Sequence, residues 1–343
     1  MSWKLRAAGA LEPILPAIPP ASGAVVMGTG IVSIDLSLDH HQTFSRILLV
    51  IAAAAWIALG LLLAGRALHD RERVHREARS PAALTGVAGT SVLGTRLALL
   101  GWNWARIALL AIAFVFWLTL LTPVLSHWVT PTIGVSLVLT VSTESLAVLS
   151  AALAASEHAD WLLYAALAPF ILGLAFYAFV IQSFDLRQLV VGRGDHWITG
   201  GALAISTLAA GRITLAAHSL HQLTGLAGTM KTISIVLSAL TIAWLPVLLV
   251  TEALRPRPGY DVRRWSTVFP VGMYAACSFI VGAAAHTPAI HDFARVWIWA
   301  GVAVWLLVFV AMIRRGIELT RAEHPPISSQ RIEEISPSRR RAS

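Results

Sequence analysis

Ten windows of mostly apolar residues run along the chain, and each is about as long as a helix that crosses a lipid bilayer. Only 13% of the 343 residues are charged, where a typical soluble protein has about a quarter. Water solvates such a chain poorly, so the pattern predicts an all-α integral membrane protein. The windows cover residues 19–38, 44–65, 84–103, 106–124, 132–153, 160–182, 197–218, 230–253, 265–285 and 294–315.

Positive residues are distributed unevenly between the two sides of these predicted spans. Ten crossings place both termini on one side, and that side carries 20 of the 26 Lys and Arg residues. Lys and Arg in short loops mark the cytoplasmic side, so both termini are predicted to be cytoplasmic. The net charge of +8 is explained by this topology, and we expect no nucleic-acid partner.

The spans set the predicted domain organisation. Residues 1–18 form a cytoplasmic N-terminal segment, and residues 19–315 form the ten-helix membrane domain. The first apolar run has no convincing cleavage site, so we expect it to be retained as a span. Residues 316–343 are polar, basic and rich in Pro and Ser. We predict that this cytoplasmic tail is disordered and is attracted to anionic lipid heads.

Odd-numbered and even-numbered spans differ in composition. Gly, Ser, Thr and Pro make up 38 of the 105 residues in the odd windows but only 15 of the 110 in the even windows. Strict alternation of this kind predicts five helical hairpins around a central pore, with odd helices inside and even helices outside. The small residues could serve close helix packing, or they could line a path for a polar solute.

Four ionisable residues fall inside odd spans, where charges usually face the interior of a helix bundle. They are Asp35, Arg96, Glu144 and Arg212. Arg96 and Glu144 each lie about 12 residues into their windows, which is roughly 18 Å along a helix. This depth permits an Arg96–Glu144 or Arg212–Glu144 ion pair that holds helices together. Alternatively, Arg96 and Arg212 attract anions and Glu144 couples transport to a proton.

Three odd-span motifs together resemble one family. They are M-G-T-G-I-V-S-I (27–34), D-H-W-I-T-G-G-A-L-A-I-S-T-L-A (195–209) and W-S-T-V-F-P-V-G-M-Y-A (265–275). With them the chain resembles the tellurite-resistance/dicarboxylate transporter family, the TehA-like proteins. That family also includes malate transporters, sulfite exporters and plant slow anion channels. The resemblance covers about residues 15–315, which is all ten spans.

The resemblance implies a fold and a set of pore residues. It implies ten helices in five hairpins, a homotrimer with one pore in each subunit, and a bacterial inner (plasma) membrane location. Odd helices line the pore, and a phenylalanine of the ninth helix plugs it; here that residue is Phe269. The small and hydroxylated residues of the odd helices that we expect to line the pore are Gly28, Gly30, Gly89, Thr90, Thr143, Ser206 and Gly272.

The sequence around Phe269 fits such a gate. Pro270 removes a backbone hydrogen bond and is expected to bend the ninth helix, which could turn Phe269 toward the axis. A ring there would close a narrow path by excluding water. The alternative is that Phe269 packs against a neighbouring helix.

The predicted function is transmembrane transport of small anions through a Phe-gated pore. Candidate anions are C4-dicarboxylates such as malate, and chloride, nitrate, sulfite or tellurite. The alternative is a proton-coupled C4-dicarboxylate carrier, and a remote one is a membrane-embedded enzyme, for which the spans offer no catalytic cluster. We expect no enzyme activity, no cofactor and no metal, with lipids as partners; the single cysteine, Cys277, is expected to be a packing residue.

Overall fold

The computed structural model describes residues 19–191, 194–220, 224–257 and 259–323. These residues form helices joined by short turns. We number the α-helices in chain order within this described part. They are α1 (Gly23–Leu38), α2 (Gln42–His69), α3 (Arg71–Glu77), α4 (Thr85–Ala98), α5 (Asn103–Ser126), α6 (Val138–Glu157), α7 (Asp160–Ile181), α8 (Gln188–Val191), α9 (Trp197–Ser219), α10 (Thr224–Leu254), α11 (Trp265–Ala285) and α12 (Pro288–Glu323).

All ten predicted spans coincide with helices, and α3 and α8 are short connecting helices. Within the described ranges, nine helices are long and apolar enough to cross a membrane. The remaining span is α4, which has 14 residues and follows a 3-10 turn at Pro81–Leu84. Its window was predicted to reach residue 103, but the helix ends at Ala98 because the chain turns at Gly101, where φ is 75°.

The hairpin turns between inner and outer helices use left-handed backbone. Gly101 separates α4 from α5, and three histidines occupy the matching turns of other hairpins. His40, His158 and His286 have φ values of 63°, 52° and 55°. Histidine is among the non-glycine residues enriched in this conformation. These histidines therefore have a clear structural role in ending the inner helices α1, α6 and α11.

Five helices form a closed inner ring. Each packs against the next in the order α1, α4, α6, α9 and α11, and α11 packs against α1. Each inner helix also forms a hairpin with the long outer helix that follows it. In the most apolar window of α1, α6, α9 and α11, between 72% and 94% of residues are buried, against 17% to 28% in the outer helices. The prediction of odd helices inside and even helices outside is confirmed.

Tryptophans of the outer helices are hydrogen-bonded to threonines of the inner ring. In each case the indole N–H donates to a threonine Oγ1 at 2.9 to 3.0 Å, which satisfies a polar group that is costly to bury alone. Several inner-helix hydroxyls thus point outward, away from the ring axis. The pairs are Trp56–Thr90, Trp117–Thr143, Trp244–Thr199 and Trp305–Thr29.

Replacing Thr143 by Val should destabilise the protein, because the buried Trp117 N–H loses its acceptor. A buried donor without a partner costs about 1–3 kcal/mol. Thr119→Val is the matched control, since Thr119 is exposed on the outer helix α5. Thermal unfolding of the purified protein should show a lower midpoint for Thr143→Val than for Thr119→Val. Equal midpoints would mean that the indole bond contributes nothing measurable.

The last helix of the membrane domain is longer than the predicted tenth span. Helix α12 continues to Glu323, eight residues past the predicted boundary at 315. The predicted N-terminal segment 1–18 and residues 324–343 of the predicted tail lie outside the described residues.

Candidate functional site

A narrow cavity lies inside the ring and takes wall residues from all five inner helices; we call it the axial cavity. It leaves about 20 Å³ for the centres of water molecules, which is room for roughly one water. This cavity is therefore too small for a continuous column of water or for a hydrated ion. The wall comprises Ile31, Ile34, Leu38, Ser91, Val92, Thr95, Ser145, Val148, Ile205, Leu208, Arg212, Met273 and Ala276.

Four wall residues are polar, and two of them have atoms free to bind a solute. Ser145 and Thr95 donate their hydroxyls to carbonyls of their own helices, at 2.7 and 2.9 Å. The Ser91 Oγ and the Arg212 Nε are buried without a hydrogen-bond partner within the described residues. An anion in the cavity would meet one guanidinium and one unused hydroxyl.

Phe269 lies on the same face of α11 as the cavity wall. Met273 and Ala276 line the cavity, and Phe269 precedes them at positions i−4 and i−7, which share a helix face. The Phe269 side chain is 4% exposed. Because Phe269 precedes Met273 by four residues, it lies one helical turn nearer to the end of the ring where the inner helices begin. We call this end the N-terminal mouth. The opposite end is the C-terminal mouth.

Pro270 makes a close contact that the sequence did not indicate. A Cβ on Gly201 of α9 would lie 2.8 Å from the Pro270 Cγ, so Gly201 allows the proline ring to approach α9. Helix α11 remains one helix from Trp265 to Ala285 through the proline. The G-G pair at 200–201 could have signalled this approach, since small residues let helix backbones pack closely.

The four glycines expected to line the pore lie at helix–helix contacts and are not part of the cavity wall. A Cβ on Gly28 or Gly30 would come within 2.9 Å of Trp265 or 2.7 Å of Val92. A Cβ on Gly272 would come within 2.7 Å of Ile31. Gly89 faces α1, with the Gly23 carbonyl oxygen at 3.2 Å from such a Cβ. Their contribution is close packing around the ring.

The three hydroxyl residues expected in the pore also point elsewhere. Thr90 and Thr143 accept hydrogen bonds from tryptophans of outer helices. Ser206 donates to the Glu144 Oε1 at 2.9 Å. None of the three is among the residues that line the axial cavity.

Only one of the three residues proposed to attract or couple anions lines the cavity, and that residue is Arg212. Arg96 points between α1 and α2, where its Nε donates to the Ser33 and Ser45 hydroxyls at 3.1 and 3.0 Å. Glu144 points toward Gly173 of the outer helix α7, which has no side chain to exclude it. Neither ion pair that the sequence permitted is formed among the described residues.

Asp35 is a further buried charge on an inner helix. It has no exposed surface, and within the described residues neither carboxylate oxygen has a hydrogen-bond partner. Its Oδ2 would lie 3.3 Å from a Cβ on Gly272, so it occupies the α1–α11 contact beside the axial cavity. A carboxylate in such a place is expected to have a functional reason.

A polar cluster lies at the N-terminal end of the inner ring and explains part of the D-H-W motif. The Trp197 indole and the Arg257 Nη2 donate to the Glu252 carboxylate at 2.9 and 3.0 Å, and the Arg257 Nη2 also donates to Thr267 at 2.7 Å. These bonds join the starts of α9 and α11 to the end of α10. Burial lowers the pKa of His196; Glu252 raises it and Arg257 lowers it further.

Comparison with known proteins identifies the family. A model of the voltage-dependent anion channel family matches residues 17–313. The chain belongs to this family. The match covers the five helices of the inner ring and the five outer helices, up to residue 313 of α12. The family resemblance read from the sequence motifs is thereby confirmed.

Two curated relatives agree with a membrane location. Each is described as an uncharacterized membrane protein of Mycobacterium tuberculosis, one from strain CDC 1551 / Oshkosh and one from strain H37Rv. Each is 32% identical over 124 residues, which is 34% of this chain and 62% of the relative. The chain thus spans less than two thirds of the length of these relatives.

Proposed function

We propose that the protein conducts small anions along the axis of the inner ring, through a path that Phe269 closes. The observation that carries this proposal is the axial cavity, which draws its wall from all five inner helices and contains Arg212. Candidate anions are C4-dicarboxylates such as malate, and chloride, nitrate, sulfite or tellurite. The family match supports anions as the class of transported solute.

Arg212 supports the choice of an anion over a cation. An isolated charge is costly to move into a low-dielectric interior, and a positive group on the path lowers that cost for anions. Among the residues that line the axial cavity, Arg212 is the charged one. Its Nε has no partner in the described part of the chain, so its positive charge is available to a passing anion.

The position of Phe269 supports its role as the gate. Its face of α11 continues the cavity wall, and the cavity is too small for a hydrated ion. A buried aromatic ring at a constriction excludes water and therefore blocks ions. We propose that opening moves this ring out of the path.

We also propose the membrane arrangement that the resemblance implies. Both termini would lie in the cytoplasm of a bacterial inner membrane, with the N-terminal mouth facing inward. The poorly buried outer helices supply an apolar surface for lipid. Three copies would form a homotrimer with one path in each subunit.

Thiol modification tests whether the route runs along the axial cavity. In a Phe269→Ala, Cys277→Ala background, Ser91→Cys places a thiol on the wall, and Thr90→Cys places one toward α2. A negatively charged thiosulfonate reagent should block anion current through the Ser91→Cys protein only, because only that thiol lies on the path. Current recorded in planar bilayers decides the point. Equal block at both positions, or at neither, would contradict the axial route.

A proton-coupled C4-dicarboxylate carrier is the second candidate, and two buried carboxylates favour it. Both Asp35 oxygens and the Glu144 Oε2 have no hydrogen-bond partner among the described residues, and such groups serve proton relays in transporters. A carrier would take up malate into liposomes only under a pH gradient, and Asp35→Asn or Glu144→Gln would abolish that uptake. A channel would pass anions down their own gradient with either substitution.

A further inference from the structure

A second cavity lies near the C-terminal mouth, between α4, α5, α6 and α9; we call it the side cavity. It leaves about 100 Å³ for the centres of water molecules, several times the space of the axial cavity. Its polar wall residues are Thr95, Arg106, Ser156 and Arg212. Thr95 and Arg212 also line the axial cavity, so the two spaces meet at these side chains.

Two arginines give the side cavity its chemistry. Arg106 is 3% exposed, and its Nη2 donates to the Glu157 carboxylate while its Nε has no partner among the described residues. Arg212 is partly exposed to the cavities, and its Nε is likewise without a partner. Guanidinium groups bind anions through several N–H donors in a fixed plane. The side cavity therefore presents unused donors from two elements to one space.

The net charge of the ionisable side chains at the side cavity determines which anion charge they can neutralise. Arg106 and Arg212 contribute two positive charges and Glu157 contributes one negative charge, which leaves one positive charge. One monovalent anion neutralises it. A divalent anion would leave one negative charge without a partner in a largely buried site, and such charges are costly.

We propose that the side cavity binds one small monovalent anion of the size of chloride or nitrate, held by Arg106 and Arg212 beside the Thr95 and Ser156 hydroxyls. The site deepens the proposed function and rests on it: it is where anions bind between the C-terminal mouth and the axial path. Among the candidate anions of the proposed function, the site therefore favours the monovalent ones, chloride and nitrate, over divalent ones such as malate. In this site Arg106 is a ligand residue.

Anion-dependent thermal stabilisation of the purified full chain tests the site without relying on current. The probes are sodium nitrate and sodium sulfate, titrated at constant ionic strength in gluconate. Nitrate should raise the unfolding midpoint of the wild type with a saturable dependence, and sulfate should give no saturable rise, only the gradual rise of a salt excluded from the protein surface. Arg212→Gln should bind nitrate about tenfold more weakly, since it loses a charged hydrogen-bond donor. Arg46→Gln, which removes an exposed charge outside the cavity, should match the wild type.

Glu157→Gln is a second test, in which the variant is expected to gain sulfate binding. It remains informative if Arg212→Gln does not fold. It raises the charge of the group from one to two positive charges, so sulfate should now stabilise the protein at least as well as nitrate. Unchanged preference for nitrate in Glu157→Gln, or equal stabilisation of the wild type by both salts, would overturn the proposal.

Two results distinguish a failure of the proposed function from a failure of the proposed binding site. Anion current through Phe269→Ala together with no nitrate-dependent stabilisation would reject the site and keep the channel. Nitrate-dependent stabilisation that Arg212→Gln weakens, with no current through Phe269→Ala, would keep the binding site and reject the axial conduit.

Discussion

Phe269→Ala should give a large rise in anion current, because in the proposed conduit its ring closes the path next to the axial cavity, which has room for about one water. Removing the ring lets water and ions occupy the constriction. A barrier lowered by about 1.4 to 2.8 kcal/mol raises the current roughly ten- to a hundredfold. The measurement is current or flux of chloride, nitrate and malate through purified protein in planar bilayers or liposomes.

Phe170→Ala is the matched control for this experiment. Phe170 is 1% exposed and, like Phe269, is a buried phenylalanine outside the cavity wall. Phe170 lies on the outer helix α7, whereas Phe269 shares a face of the inner helix α11 with two wall residues. Both substitutions should lower stability, by about 3–5 kcal/mol for a fully packed ring. Only Phe269→Ala should increase current. A similar increase in both variants would mean that loosened packing causes the leak.

Gly134→Ala should strongly destabilise the N-terminal mouth. Gly134 begins the 3-10 turn that leads into α6, and it lies against Asp195 at the entrance of α9. A Cβ there would lie 2.7 Å from the Asp195 Cβ and would overlap its carbonyl group. Backbone cannot rotate aside as a side chain can, so α6 and α9 must separate. We expect a loss of about 3 kcal/mol and a fall in the unfolding midpoint of roughly 5 to 10 °C.

Gly60→Ala supplies the control with the opposite expectation. Gly60 lies in the outer helix α2, and a Cβ added there meets no atom within 4 Å. Alanine favours helix over glycine by up to about 1 kcal/mol, so the midpoint should stay constant or rise. If Gly134→Ala unfolds at the same temperature as Gly60→Ala, the close contact between the α6 and α9 entrances is not present in the protein.

Helix positions and the two-layer arrangement followed from local composition. The windows 160–182, 197–218 and 265–285 match α7, α9 and α11 to within a residue at each end. Length and apolarity are enough for this, since a span must cover the hydrocarbon core with its own hydrogen bonds. The excess of Gly, Ser and Thr in alternate spans predicted which helices are buried by their neighbours, because small residues permit close approach.

Which side of an inner helix faces the axis depended on the packed fold. An inner helix is buried on every side, so its sequence carries no contrast between the axial face and the packing faces. The axial wall is mostly apolar, with Ile31, Val92 and Met273 among its residues, and in sequence it looks like ordinary core. The small residues expected on that wall instead pack one helix against another, as Gly30 does against Val92.

For the buried charged residues, the sequence predicted the depth in the membrane, and the packed fold decided the direction of each side chain. Their depth in the membrane could be read along the sequence, because rise per residue is constant in a helix. Their direction could not: Arg96 turns toward Ser33 and Ser45, Glu144 turns toward Ser206, and Arg212 turns into the cavities. A rotation of about 100° per residue separates neighbouring directions, and the contacts among five helices select one of them.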